Sequence, residues 1–294
     1  MEKIISNIAK IDDWIDKAPD PVTFQKNDDF MNFVVELMNY CLYLLRVSVA
    51  LAPSSSSAHN GFSKNTAIIV GHMVRITKLY EGFLIHISKG QAELALIFFR
   101  LIFETSIRMS YMIASKSKRK TFHSFILTSY KPEKEILEDM YEKKENRPLI
   151  NIEKRMIRKI ESRMQKDGIS TQELMNNKTW NIDGKNAREL LKALGNEKQY
   201  AYAFSNGSHF VHGDWYEIDL HHVDKKGRFY IPQLNYTTPD PRIACSVNAQ
   251  CLKTLIEYLS WRKSDPDKVV FPVVQKLLVL NGKVDSAHEN TLGA

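Results

Sequence analysis

The sequence predicts a mostly α-helical protein, a helical bundle with one late β-hairpin. Over the first two thirds of the chain, apolar residues recur at steps of three and four, which is typical of amphipathic helices. Only the segment from about 215 to 232 alternates bulky and polar residues around a turn, as a hairpin does. With 44% hydrophobic residues among 294, the chain has enough apolar material to bury a large core.

Four helices are predicted before residue 116, separated by proline, glycine or serine-rich stretches. The serine-rich stretch Pro53–Gly61 divides the chain into N-terminal helices at 1–60 and a main helical domain at 61–294, or lies as a loop within one continuous domain. A short turn at Gly90 joins the third helix to the fourth, so these two are expected to pack as an antiparallel hairpin. The expected helices are one that ends near Pro19 and three over 28–51, 63–87 and 91–115.

A basic helical insertion is expected over about 116–180. Within it, Asn151–Lys166 has six basic and two acidic residues, and an apolar residue stands at every fourth position. This pattern predicts a basic amphipathic helix. The stretch that follows, Thr171–Asp183, is expected to be a loose connection.

The last third of the chain is expected to contain the hairpin and four helices. Asn186–Gly195 and Asn196–His212 have helical patterns. Trp215–Leu220 and Arg228–Ile231 are the expected strands, joined through the turn residues Lys225–Gly227. The final two helices are one that opens at Pro241 and one over Asp267–Leu280 that ends at Asn281–Gly282.

Composition and charge exclude several classes of protein. Three cysteines without a C-x-x-C spacing argue against a disulfide-stapled or four-cysteine zinc protein and favour a reducing cytosol. Acidic residues precede any long apolar run at the N-terminus, so no signal peptide is expected. Widely spaced glycines argue against a P-loop or a dinucleotide-binding loop. The net charge of +7 permits a nucleic acid or another anionic partner.

Three charged residues lie within the most hydrophobic stretch, Leu94–Ala114. Arg100, Glu104 and Arg108 step by four, so they share one face of a helix. Each would cost about 2.5–3.5 kcal/mol in a bilayer, which favours a buried helix of a cytoplasmic protein with no membrane partner. Two interpretations stay open: an internal salt bridge that fixes helix packing, or a polar seam whose guanidinium groups hold phosphate or carboxylate.

The densest polar cluster in the chain is the segment 205–214. If one helix runs through it, Ser205, His209 and His212 share a face, and Gly213 ends that helix. The histidines could transfer protons, cap the helix by binding its last carbonyl groups, or bind a metal together with Asp214. No H-E-x-x-H pattern supports the metal, so neither a metal nor another cofactor is expected.

Two of these motifs together resemble those of a bacterial protein family. Arg100-Leu101-Ile102-Phe103-Glu104 in an apolar helix, followed by Tyr200-x4-Ser205-x3-His209, is similar to a family known only as domain of unknown function 5677, found near mobile or defence genes. The resemblance covers about Ile68–Gly213 and the hairpin and helix that follow. More distantly, the layout is similar to the HEPN superfamily of helical bundles, many of which are metal-independent ribonucleases of toxin and antiphage systems.

The HEPN similarity implies a ribonuclease site, although this sequence departs from the pattern of that superfamily at one position. Nucleases of that superfamily carry an arginine four to six residues before a histidine on one helix, whereas no arginine precedes His209 at that distance. Arg100 would then supply the guanidinium from across the bundle. In that arrangement His209 or His212 transfers protons, Arg100 stabilises the phosphorane, and Ser205 and Glu104 position groups.

The leading functional hypothesis is a metal-independent ribonuclease-like toxin or antiphage defence effector. Basic residues would hold RNA or another nucleic acid; they are Lys118, Arg119, Lys154, Arg155, Arg158, Lys159 and Arg163. A second hypothesis is a non-catalytic helical sensor or assembly subunit of a defence system, which binds a partner protein or a second copy of the chain. A third is a metal-dependent hydrolase. No stacking-aromatic motif of an RNA-binding module is present.

Overall fold

The computed structural model describes residues 2–50, 61–263, 265 and 268–293. Within these residues the chain forms thirteen α-helices and one antiparallel pair of strands, which confirms the predicted helical bundle with a late hairpin. A π-helical segment, Tyr200–Ser205, leads into the tenth helix. The helices and strands are α1 (Glu2–Lys17), α2 (Asn27–Ala50), α3 (Lys64–Ser88), α4 (Ala92–Ala114), α5 (Lys118–Thr128), α6 (Lys131–Asn146), α7 (Asn151–Asp167), α8 (Thr171–Asn176), α9 (Ala187–Ala193), α10 (Asn206–His212), α11 (Trp215–His221), β1 (Val223–Lys226), β2 (Phe229–Pro232), α12 (Pro241–Arg262) and α13 (Val270–Leu292).

One apolar core joins helices from both ends of the chain. It is formed chiefly by α2, α3, α12 and α13, and residues of α1 and α4 are also buried in it. Hydrogen bonds run through this core: Tyr80 Oη donates to Asn248 Oδ1 (2.6 Å), and Asn248 Nδ2 donates to Asn281 Oδ1 (3.0 Å). Asn281 Nδ2 in turn donates to the carbonyl oxygen of Cys245 (3.0 Å). Because buried polar groups cost free energy unless they are paired, these bonds fix how α12 and α13 face each other.

The prediction that the last helix ends at Asn281–Gly282 is wrong. α13 continues to Leu292, and Asn281 lies in its interior with a buried side chain. This asparagine serves the hydrogen bonds of the core rather than a turn, so its usual preference for helix ends does not apply. The predicted start at Asp267 lies outside the described residues, as does most of the loop expected at Pro53–Gly61.

The hairpin begins later than predicted. Trp215–Leu220 is not a strand but most of helix α11, and the paired strands cover only Val223–Pro232. The carboxylate of Asp214 accepts a hydrogen bond from the backbone N–H of Glu217 and so caps α11. Gly213 lies just before it with φ +59°, a left-handed conformation that ends α10. The two breaks made by Gly213 and Asp214 therefore start a new short helix where the alternating pattern suggests a strand.

A smaller core supports the basic insertion formed by α5–α8. α7 is the predicted basic amphipathic helix, and Met164 on its inner face is buried. The connection expected to be loose over Thr171–Asp183 instead contains α8 and a 3-10 turn at Ile182–Gly184. The side chain of Ser170 caps α8, which explains why a helix forms there. The buried apolar residues of this core are Tyr130, Leu137, Met164, Ile169 and Leu174.

α4 lies between α3 and α10. The antiparallel packing of α3 against α4, predicted from the short turn at Gly90, is confirmed. On another side, α10 approaches α4 closely at Gly207, where an added Cβ would lie 3.2 Å from the Cβ of Arg100. The segment that carries the histidines therefore packs directly on the helix that carries the buried charges.

One helix in the described part of the chain is long and apolar enough to cross a membrane, and it is α2 (Asn27–Ala50). More than half of its apolar stretch is buried in the core. Core helices of soluble proteins satisfy the same criterion of length and composition.

Candidate functional site

The charged face of α4 opens into a cleft between α3, α4 and α5. Two adjoining cavities, of about 430 and 360 Å³, share Glu104, Arg108 and Phe125 in their walls. We call this space the α3–α4 cleft. Its polar walls come from α3 on one side and from α9 and the π-helical segment on the other. The polar or titratable side chains that line it include His72, Arg75, Glu104, Thr105, Arg108, Lys185 and Tyr200.

Glu104 stands between two arginines of its own helix. Its Oε1 pairs with Arg108 one turn later, and its Oε2 lies 3.6 Å from the guanidinium of Arg100 one turn earlier. The spacing of four residues predicts this contact, because such residues are neighbours on a helix surface. Of the two interpretations, the internal salt bridge is present, and it lies at the edge of a cleft that solvent reaches.

Arg100 is held in place by the segment before α10. Its guanidinium lies 3.0 Å from the centroid of the Phe204 ring and donates to the Phe204 carbonyl oxygen at 3.3 Å. The residue is 9% exposed, and its burial lowers the pKa of the guanidinium. A guanidinium bound on one face by a ring and at its edge by a carbonyl has a fixed orientation, so Arg100 positions Glu104 and Phe204 against each other.

His72 of α3 contributes an imidazole to the same cleft. Its Nδ1 lies 2.7 Å from the carbonyl oxygen of Ile68, and because a carbonyl can only accept, the hydrogen bond assigns the proton to Nδ1. Nε2 is then the basic nitrogen. Burial lowers the pKa of this histidine, and so do the positive charges of Arg108 and Arg75, against the opposing effect of the hydrogen bond to Ile68. His72 is therefore a neutral base at neutral pH.

Arg75 lies about one turn after His72 on α3 and lines the same cleft. Its Nε donates to Thr105 Oγ1 (3.3 Å), while its terminal nitrogens have no hydrogen-bond partner among the described residues. The cleft thus holds two guanidinium groups, one carboxylate and one neutral imidazole. Guanidinium groups bind phosphate oxygens in pairs, and a neutral imidazole accepts a proton, so the set suits phosphoryl chemistry.

The histidines of the sequence motif face a different environment. His209 Nδ1 lies 2.5 Å from Asp214 Oδ2, and its ring packs on Tyr216 with centroids 4.7 Å apart. The hydrogen bond from His209 holds the pKa of Asp214 below its usual value. His212 is exposed in the last turn of α10. The side chain of Ser205 lies outside the described residues.

The structure thus brings together only part of the predicted site. Arg100 and Glu104 are in contact, but neither a hydrogen bond nor an ion pair joins them to His209 or His212 in the described part of the chain. Asp214 bonds His209 directly, and among the described residues no group of three or more His, Cys, Asp or Glu side chains is arranged to hold a metal ion.

The predicted nucleic-acid residues fall on two exposed surfaces. Lys118 and Arg119 line an open depression at the start of α5, together with Lys116, Lys120 and His123. The basic residues of α7 are exposed, whereas its three acidic residues are engaged: Glu153 with Arg147, Glu161 with Tyr141, and Asp167 with Tyr130 and Lys64. The residues of α7 that are predicted to bind nucleic acid are Lys154, Arg155, Arg158, Lys159 and Arg163.

His72 and Arg75 are among the cleft residues that sequence reasoning missed. A signal for them exists in α3, where Ala67 and Gly71 are small and His72 and Arg75 are polar within a helix expected to pack on α4. Small residues leave room beside a neighbouring helix, and polar residues next to that room line it.

Comparison with known proteins gives one result. Residues 66–229 match a protein family described as a family of unknown function (DUF5677). The matched range covers more than half of the chain and includes every cleft residue named above, α10, α11 and most of the hairpin. No curated protein and no solved structure is significantly similar to the chain.

Proposed function

This chain belongs to the family of unknown function DUF5677, and we propose that it is a ribonuclease-like enzyme whose reaction centre is the α3–α4 cleft. One observation carries the proposal: a neutral imidazole, two arginines and a carboxylate line a single cavity. His72 takes the proton-transfer role that the sequence assigns to His209 or His212. The cellular role that fits such an activity is that of a toxin or antiphage defence effector.

The reaction is an internal transesterification of RNA. Nε2 of His72 takes the proton of a ribose 2′-hydroxyl, and the 2′-oxygen attacks the adjacent phosphorus. The bond from phosphorus to the 5′-oxygen breaks, and that oxygen takes a proton from water. The products are a 2′,3′-cyclic phosphate and a 5′-hydroxyl, so neither an oxidant nor an added nucleophile is needed.

The arginines act on the negative charge that grows on the non-bridging phosphate oxygens. Arg75 and Arg108 both line the cavity, and the loss of one such donor typically costs about 10²–10³-fold in rate. Glu104 holds the guanidinium of Arg108 at the wall of the cleft by its ion pair. Glu104 is therefore a positioning residue in this proposal.

The test is cleavage of end-labelled RNA in a buffer that contains a metal chelator. We expect products ending in 2′,3′-cyclic phosphate, no cleavage of DNA of the same sequence, and cleavage that is about 10²–10⁴-fold slower with His72→Asn. Arg46→Ala, which breaks an exposed ion pair with Glu81 away from the cleft, is the matched control and keeps full activity. Intact RNA with the folded parent protein, or equal cleavage of DNA, would contradict the proposal.

A second candidate function is a non-catalytic helical subunit, and the burial of Arg100 against Phe204 favours it. In that case the polar residues of α4 stabilise the packing of the helices and take no part in a reaction. Arg100→Ala would then lower the melting temperature, and neither the parent nor any variant would cleave RNA.

A further inference from the structure

We propose that aromatic residues exposed on α11 and the hairpin form a second binding surface, and that its ligand is single-stranded RNA. The choice of RNA rests on the proposed function, while the surface itself lies outside the α3–α4 cleft. We call it the hairpin surface, and at its centre the rings of Trp215 of α11 and Tyr230 of β2 are in contact.

The residues of this surface are exposed to solvent. Trp215 is 58% exposed and Tyr230 45%, and the same segment of the chain also exposes Phe229 (76%) and Leu234 (90%). A single exposed apolar residue needs no explanation, but a contiguous group marks a binding surface. The rings of Trp215 and Tyr230 are in edge contact with centroids 5.5 Å apart, so α11 and the hairpin contribute to one surface.

The hairpin has few neighbours in the described part of the chain. β1 and β2 pair with each other, and their main neighbour is the short helix α11. The residues of both strands are exposed or only half-buried. An isolated two-stranded hairpin is marginally stable in water, so a ligand that covers it would stabilise it.

The chain anchors the base of the hairpin while leaving its tip free. The backbone N–H of Thr237 donates to Glu93 Oε1 (2.7 Å), and the backbone N–H of Gln233 donates to the carbonyl of His222 (2.9 Å). The N–H of Ala92 at the start of α4 also donates to the carbonyl of Thr237 (3.3 Å). The aromatic residues are therefore presented from a fixed base.

The hairpin also carries positive charges. Lys225 stands opposite Tyr230, and Lys226 stands opposite Phe229, so each face of the hairpin has one lysine beside one aromatic ring. Together with Arg228, these cations make no ion pair among the described residues. Base stacking on aromatic rings beside cations that hold phosphates is how proteins bind single strands.

The same charges argue against a protein partner. Lysine is depleted from the buried centre of protein interfaces, because its desolvation is costly. Here the lysines alternate with the aromatic residues across the hairpin rather than forming a rim. Duplex RNA is also a poor fit, since its bases are already stacked and cannot reach the rings.

The experiment is fluorescence anisotropy with a short labelled single strand of 2′-O-methyl RNA, which lacks the attacking hydroxyl and stays intact. Trp215→Ala and Tyr230→Ala should each weaken binding by about fivefold or more, the low end for loss of one stacked base. Phe62→Ala, an exposed aromatic residue on another part of the chain, is the control and should bind like the parent. The duplex of the same sequence should bind more weakly than the single strand.

Lysine substitutions give a second measurement, the salt dependence of RNA affinity, which a change in packing alone would not alter. The double change Lys225→Gln and Lys226→Gln should reduce the dependence of log affinity on log salt by about 0.7 for each phosphate that is no longer bound. Circular dichroism of each variant checks that the helices remain.

The possible outcomes separate this inference from the proposed function. If the parent protein binds RNA but does not cleave natural RNA, the proposed function is contradicted and the hairpin surface is supported. Unchanged binding by the aromatic variants, or no binding by the parent, overturns the hairpin surface. A change of oligomeric state in sedimentation with unchanged RNA affinity assigns the surface to contact between copies of the chain and also overturns it.

Discussion

The α3–α4 cleft and the corner between α10 and α11 each place a histidine beside charged residues, but they do so in different surroundings. His72 lies within a cavity wall, where its Nδ1 is used by the carbonyl of Ile68 and its pKa is lowered by burial. His209 lies on an open corner, where Asp214 binds it and Tyr216 packs on its ring. The two histidines differ in how far the protein encloses them, and the density of polar residues in the sequence does not predict this difference.

The difference has a chemical consequence. A buried imidazole between arginines loses its proton easily, so it is ready to act as a base. The imidazole of His209 is bound by Asp214, which also caps α11, and this gives the pair a structural task. Reactivity is therefore expected at His72, and local stability at His209.

The largest effect that tests this comparison is the loss of activity in His72→Asn. We expect RNA cleavage to fall by about 10²–10⁴-fold, the usual contribution of a general base. His209→Asn is the matched variant and should cleave RNA at the rate of the parent. Single-turnover cleavage rates measure both, and a reversed order of the two variants would move the reaction centre to the α10–α11 corner.

Arg108→Ala should give the next largest effect. Loss of its guanidinium removes a donor from the cavity, which we expect to cost about 10²–10³-fold in cleavage rate. Arg108→Lys keeps the charge but not the planar fork, so its rate should fall between those of the parent and Arg108→Ala. Equal rates for all three proteins would show that Arg108 serves only its ion pair with Glu104.

Gly207→Ala probes the contact that joins the two regions. The added methyl would crowd the Cβ of Arg100, and overpacking of this kind costs about 1–3 kcal/mol of unfolding free energy. Gly282→Ala in α13 is the control, because an added Cβ there meets nothing within 4 Å. Its substitution should be neutral or should stabilise the protein by about 0.5–1 kcal/mol. Urea denaturation of both variants provides the measurement; similar midpoints for the two would contradict the close approach.

The smallest effect concerns pH. Because the pKa of His72 is lower in the folded than in the unfolded chain, the unfolded chain binds more protons just below the ordinary histidine pKa. The contribution of His72 to stability is thus complete above that value and is lost as the pH falls through its folded pKa. His221, whose pKa burial also lowers, acts in the same direction. The melting temperature of His72→Asn should therefore fall less between neutral and mildly acidic pH than that of the parent.

The sequence predicted the parts of the fold that depend on periodicity. The α3–α4 hairpin and the basic helix α7 are confirmed, and the spacing of Arg100, Glu104 and Arg108 gives the ion pairs that the structure contains. These relations are local, so they follow from three or four residues per turn.

Relations between distant segments could not be predicted in this way. Asn281 resembles the end of a helix until its amide is seen bound to Asn248. Trp215–Leu220 alternates like a strand, yet the cap at Asp214 starts a helix. His72 was missed because its value to the cleft depends on Arg108, which belongs to another helix.

The π-helical segment Tyr200–Ser205 has one more consequence. A π turn holds one residue more than the corresponding α turn, and each residue advances a helix by about 100°. Deleting one residue from this segment would therefore rotate α10 relative to Phe204 and turn Gly207 away from Arg100. Side chains of ordinary size would then meet α4, and the two helices would have to separate. The number of residues in this turn, as much as their identity, decides which side of α10 meets α4.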